Sequence, residues 1–216
     1  MIDQRFLVDT AAGLLVLSSL AMLATSRIAT GIRLVAIQGL LLGAIAFLDG
    51  HEGVTMRSIA LGGGTVLLKS ALFPWLLSRA QHEARVQQEP DPFVSYPFSL
   101  AGGVTALGVA VWLSDRVTLT PDIDALVVAV GLFTTFAGLL LLVTRRIALG
   151  QVLGYIVLEN GIATFGLAVA EQQPLLVELG VLLDVFVAVF VMGIAIVHIN
   201  HEFDHIEVDQ LSALRD

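Results

Sequence analysis

No cysteine occurs among the 216 residues. That excludes disulfides, cysteine-ligated iron–sulfur clusters and thiol chemistry from this chain, so any redox step has to happen in another polypeptide. Charge is scarce as well: Asp, Glu, Lys and Arg make up 14% of the sequence, against about 25% in soluble domains. Lysine occurs once, at position 69. The formal net charge of −8 is spread over loops and tail without a polyacidic run, which argues against a nucleic-acid partner. The amino-terminal MIDQRFLVDT has neither a basic n-region nor a small-residue cleavage site. It is expected to remain as the start of a helix and not to be removed as a signal peptide.

What is present is apolar. Hydrophobic residues make up 56% of the chain and the mean hydropathy is +0.89, values that belong to an integral membrane protein. Stretches long enough to cross a bilayer are marked off by flanking charges at 7–24, 31–48, 59–78, 96–114, 124–143, 149–169 and 175–198. No alternating ten-residue segments suggest a barrel, so the expected fold is all-α, a polytopic transmembrane bundle of about seven helices. With seven helices, one side of the membrane would hold Arg27, Arg33, Arg79, Arg85, Arg145, Arg146 and Arg215, and the other Arg5, Arg57 and Arg116. Positive charge is retained on the cytoplasmic side, which predicts an outward amino terminus and a cytoplasmic carboxyl terminus in the inner (cytoplasmic) membrane.

The chain also repeats itself. SRIATGIRLVAI (26–37) and RRIALGQVLGYI (145–156) share Arg-Ile-Ala-x-Gly at a spacing of 119 residues, a pattern expected of an internal duplication of a three-helix unit. The units would be 1–95, with its cytoplasmic loop, and 124–216, with its tail, joined by a connecting helix over 96–123. Aligned without gaps, Glu159 falls opposite Leu40, and Gln38 lies within a turn of that place.

LGYIVLENGIATFG (153–166) holds a carboxylate in a segment with no other charge between Arg146 and Glu171. A charge at the bilayer centre costs roughly 2.5–3.5 kcal/mol on insertion scales, so it persists mainly where it faces protein or water and performs a function. Asp184 in VLLDVFVAVF lies about nine residues into the last span, roughly 13 Å at 1.5 Å per residue. Lys69 in TVLLKSALFPWLL stands mid-span and is followed five residues later by Pro74, whose missing N–H frees a carbonyl one turn back. Burial disfavours the charged form of acid and base alike, so two acids and a lysine on separate helices form a set able to exchange protons. The alternative is a buried ion pair that only joins helices. With three such residues, and Asn160 beside one of them, the pattern favours a proton relay. Gln38, Asn160 and Glu178, the last near the outer end of the final span, are accessory candidates.

LGYIVLENGIATFG, VELGVLLDVFVAVFVMGIAI and the tail IEVDQLSALRD together resemble the component E membrane subunit of hydrogenase-4 and formate hydrogenlyase complexes. The carboxyl-terminal half of that family is similar to the K-type small membrane subunit of complex I. The resemblance is most specific over residues 144–216. It implies that Glu159 and Asp184, aspartate standing where the K-type subunit has glutamate, belong to a proton pathway. LLKSALFPW looks like the lysine-bearing helix of the antiporter-like subunits over a few residues. What the resemblance implies is a non-catalytic subunit of a complex-I-related oxidoreductase. It would hold no cofactor itself, with nickel–iron or iron–sulfur centres in partner subunits, and would sit in the bilayer beside antiporter-like and quinone-site-like membrane subunits. The ion moved would be a proton or sodium. Two other readings stay open: a subunit of a multi-subunit cation/proton antiporter, and a structural spacer between larger membrane subunits.

Two further patterns carry less. His198, His201 and His205 in HINHEFDHIEVD stand at i, i+3 and i+7, a spacing that suits metal ligands but suits a solvated helix end equally, where histidine charge is favoured near the carboxyl terminus; no metal is expected. GGGTVLLKS (62–70) has no glycine directly before Lys69 and lies in a membrane helix, which excludes a phosphate-binding loop. Its glycines suit close approach of a neighbouring helix.

Overall fold

The computed structural model describes residues 4–49, 63, 66–83, 87–89, 92–117 and 124–169. Among the described residues the elements are helical, apart from one antiparallel bridge between Arg27 and Gln88. The helices are α1 (Gln4–Ala24), α2 (Ile28–Asp49), α3 (Phe73–Glu83), α4 (Tyr96–Val117), α5 (Ala125–Thr144) and α6 (Ala148–Val169), with a π-helical turn at Leu68–Leu72 leading into α3. Four of them are long and apolar enough to cross a membrane: α1, α2 over 28–46, α4 over 96–116, and α5. The chain is a multi-pass membrane protein. The predicted last span, 175–198, lies outside the described residues, as do Asp184, Glu178 and the three histidines of the tail.

The third predicted span departs from a plain helix. Phe73 donates its backbone N–H to the carbonyl of Leu68, five residues back, and Pro74 has no N–H to give to Ser70. The chain therefore widens into a π turn around Lys69. It then continues as α3 through the polar SRAQHE as far as Glu83, past the predicted end at 78.

In lipid there is no hydrophobic drive between helices, so close backbone packing has to supply cohesion. Along the antiparallel α5–α6 pair this comes from glycine. A Cβ on Gly138 or Gly161 would strike the backbone of Leu158 or Thr135, and one on Gly154 would lie 2.8 Å from the Leu141 Cβ. Around this pair, α1 packs against α2, α4 and α5, and α2 packs against α6 and the π turn.

The core is divided along its length. One apolar cluster includes Met22, Leu23, Ile28, Val35, Phe133, Leu141 and Ile156; the other includes Val8, Ala11, Leu15, Ile45, Val127 and Val130. Three helices bury polar side chains between or beside the two clusters: Ser18 and Ser19 on α1, Gln38 on α2, and Glu159 and Asn160 on α6. A polar layer thus crosses the middle of the bundle.

Candidate functional site

The polar layer contains the lysine. The Lys69 side chain is 1% exposed and so is Glu159, and the Lys69 ammonium donates directly to Glu159 Oε1. It also donates to Asn160 Oδ1 at 3.2 Å. Asn160 Nδ2 in turn donates to Gln38 Oε1 at 3.2 Å, and Gln38 Nε2 donates to the hydroxyls of Ser18 and Ser19, each at 3.1 Å. Ser18 donates onward to the Leu15 carbonyl at 2.9 Å. Three helices and the π turn therefore join in one hydrogen-bonded array.

Local structure fixes each member. Glu159 and Asn160 are adjacent on α6, so their side chains leave the helix about 100° apart and both reach Lys69 from one turn. Gly39, next to Gln38, lets the π turn close onto α2: a Cβ there would lie 2.9 Å from the Lys69 Cβ and 3.0 Å from its carbonyl carbon. Thr164 returns its hydroxyl to the Asn160 carbonyl at 2.7 Å. Tyr155, one turn before Glu159, stands within electrostatic reach of it.

The geometry brings together Lys69, Glu159, Asn160 and Gln38 out of the residues singled out in the sequence. The array also recruits Ser18 and Ser19, which sequence reasoning passed over. Chemically, an ammonium hydrogen-bonded to a carboxylate can hand its proton across that bond with no change in net charge, so the layer stays neutral in both states.

A second buried ion pair lies at the end of the bundle where the α1–α2 and α5–α6 turns meet the 87–89 segment. Glu89 Oε2 stands 3.6 Å from Arg145 Nε, while Glu89 Oε1 accepts the backbone N–H groups of Arg146 and Ile147 just ahead of α6. Arg145 caps the carboxyl end of α1 through the carbonyls of Met22 (3.0 Å) and Leu23 (3.1 Å), where a cation suits the helix dipole. It also stacks 4.6 Å over the Tyr96 ring. Burial pulls the Arg145 guanidinium below its usual value, and the Glu89 carboxylate acts in the opposite sense. Every bond of this pair to the backbone sits at a helix end, which makes it a clamp. Lys69 and Glu159 instead meet side chain to side chain, with Asn160 beside them.

Comparison with known proteins finds a relative along the whole chain and a partial likeness to another. The uncharacterized protein Rv0085 of Mycobacterium tuberculosis is 35% identical over 213 residues, 97% of this chain and 96% of its own. The chain belongs to one family with that protein. Hydrogenase-4 component E of Escherichia coli, and that of Shigella flexneri, is 37% identical over 91 residues, 42% of this chain and 41% of theirs. The likeness thus spans less than half of component E. No family model and no solved structure matches.

Proposed function

We propose that the chain is a non-catalytic subunit of a complex-I-related, energy-converting hydrogenase or formate hydrogenlyase type complex, in which it contributes an intramembrane proton (or sodium) relay. The observation that carries this is the Lys69–Glu159 pair: acid and base in direct hydrogen bond, 1% exposed, at the middle of the bundle. A charge pair there is costly and is retained mainly where it performs a task, and the second pair, Arg145–Glu89, already supplies a clamp at the end of the same bundle.

The partial likeness to hydrogenase-4 component E supports the type of complex. Redox centres, nickel–iron or iron–sulfur, would then reside in partner subunits, with antiporter-like and quinone-site-like membrane subunits beside this one. Asp184 is the expected next acid on the path and Glu178 its outer mouth. The arginine asymmetry supports placement in the inner membrane with the amino terminus outside and the carboxyl terminus cytoplasmic.

The test is Glu159→Gln, which keeps shape and hydrogen bonding but cannot gain and lose a proton. Proton uptake in vesicles, normalised to complex assembled on a native gel, is expected to fall at least tenfold while assembly persists. Asp184→Asn should act in the same direction and less completely. Full uptake by the assembled Glu159→Gln variant removes the relay.

A further inference from the structure

The hydrogen bonds of the polar layer have a direction. Reading from donor to acceptor, they run from the Lys69 ammonium to Asn160, from Asn160 to Gln38, and from Gln38 to Ser18 and Ser19. Each amide has its oxygen toward Lys69 or toward the other amide's nitrogen, and this order is forced from the Lys69 end and matched by Ser18 at the other. If Asn160 turned over, its NH2 would face the ammonium, donor against donor. If Gln38 turned over, its NH2 would face that of Asn160, and its oxygen would need protons from the serines. Ser18 has already given its proton to the Leu15 carbonyl and keeps only lone pairs for Gln38.

An amide locked in this way does two things. It holds its neighbour in place, because Gln38 is fully buried with both ends of its amide in use and fixes the orientation of Asn160, whose oxygen then receives the ammonium. It also blocks protons. A water or hydroxyl passes a proton on by accepting one and releasing another, whereas a carboxamide does so only through its high-energy imidic acid form.

We propose that Gln38 is a positioning residue for Lys69: through Asn160 it holds the ammonium against Glu159, and the two amides together close the α1 side of the pair to protons. Proton exchange would then be confined to the Lys69–Glu159 side of the array, a consequence that rests on the relay reading, whereas the positioning itself does not.

Because Lys69 is the sole lysine of the chain, 15N-lysine labelling gives a single Nζ resonance, and 13C labelling of glutamate carboxyls reports its contact with Glu159 by solid-state NMR. The full chain in lipid is expected to show this contact and Glu159→Gln to lose it. Gln38→Leu should weaken it at least twofold, and the Ser18→Ala/Ser19→Ala variant should do the same while leaving Gln38 in place, which covers the case in which Gln38→Leu does not fold. An unchanged contact in either variant overturns the positioning role, whatever Glu159→Gln does to proton uptake. If instead Glu159→Gln translocates fully while Gln38→Leu loses the contact, the relay falls and the positioning stands. For the second half of the proposal, Gln38→Glu puts a titratable group on the α1 side and is expected to raise the resting proton leak of vesicles. A leak equal to that of the unaltered chain overturns the closure.

Discussion

Lys69 and Glu159 meet in a direct hydrogen bond although 90 residues separate them in the chain. Each is the other's counter-charge in a buried layer, so removing one alone leaves a desolvated charge. Lys69→Met should therefore lose assembly by about 3–5 kcal/mol, the usual result of breaking a buried pair from one side. Lys69→Met/Glu159→Gln removes both charges and should recover most of that stability, but no translocation. Thermal unfolding of the detergent-solubilised variants, read beside vesicle uptake, checks both halves; a double variant as unstable as Lys69→Met contradicts the pairing.

The clamp should behave differently. Glu89→Gln retains an oxygen for the N–H groups ahead of α6 but deprives the buried Arg145 of its counter-charge, so a loss of stability of about 3–5 kcal/mol is expected. Uptake per assembled complex should stay within twofold of the unaltered protein, because Glu89 lies at the bundle end and outside the polar layer. A drop in uptake per complex as deep as that of Glu159→Gln would move Glu89 into the pathway.

How much of this was legible in the sequence depends on what each residue contrasts with. Glu159, Lys69 and their amide neighbours stand out because a charge or a carboxamide in an apolar span has no cheap resting place. Ser18 and Ser19 gave no such signal. Serine and threonine in membrane helices commonly return their hydroxyl to a carbonyl of the preceding turn, as Ser70, Thr105 and Thr135 do here, and sequence does not tell such a residue from one that also accepts from a buried amide. Glu89 sits in a charged loop segment, RAQHEARVQQEPDPFVS, where a solvated side chain is the ordinary expectation; only the meeting of two distant turns buries it. Pro74 announced a break, but whether the freed carbonyl produces a kink or a π turn depends on what α2 presents, and Gly39 presents its backbone.

Glycine spacing along α5 and α6 gives a packing test. A methyl group on Gly138 would strike the Leu158 backbone, which has no rotamer to yield with, so Gly138→Ala is expected to cost on the order of 1–3 kcal/mol. On α4, Gly108 has nothing among the described residues within 4 Å of the same added atom, and Gly108→Ala should gain about 0.5–1 kcal/mol from helix propensity. Opposite signs in the two melting temperatures are the expected result.

Thr134 is fully buried beside Phe133 of the first apolar cluster, and its hydroxyl has no hydrogen-bond partner among the described residues. Replacing an unsatisfied buried hydroxyl by a methyl of the same shape removes a desolvation penalty, so Thr134→Val should raise stability by about 1 kcal/mol and leave uptake unchanged. Lower stability with lower uptake would mean that the hydroxyl serves the layer through a bound water.

Gly39 and Gly43 lie one turn apart on α2 and face the same strand of chain, yet they should tolerate alanine differently. At Gly43 the added carbon would meet a methyl of Val66, which lies ahead of the π turn, so the strain falls on that side chain and not on the turn that carries Lys69. At Gly39 it would meet the Lys69 Cβ at 2.9 Å, the Lys69 carbonyl carbon at 3.0 Å and the Ser70 nitrogen at 3.1 Å, all part of the π turn or attached rigidly to it. Gly39→Ala therefore has to push the turn away from α2, and Lys69 travels with it. A displacement of a few tenths of an ångström leaves the helices packed but lengthens the bond on which transfer to Glu159 depends, so stability should change by less than about 2 kcal/mol while uptake falls by tenfold or more. Gly43→Ala should keep most of its uptake. If Gly39→Ala translocates as well as Gly43→Ala, the position of Lys69 on the π turn does not govern the transfer.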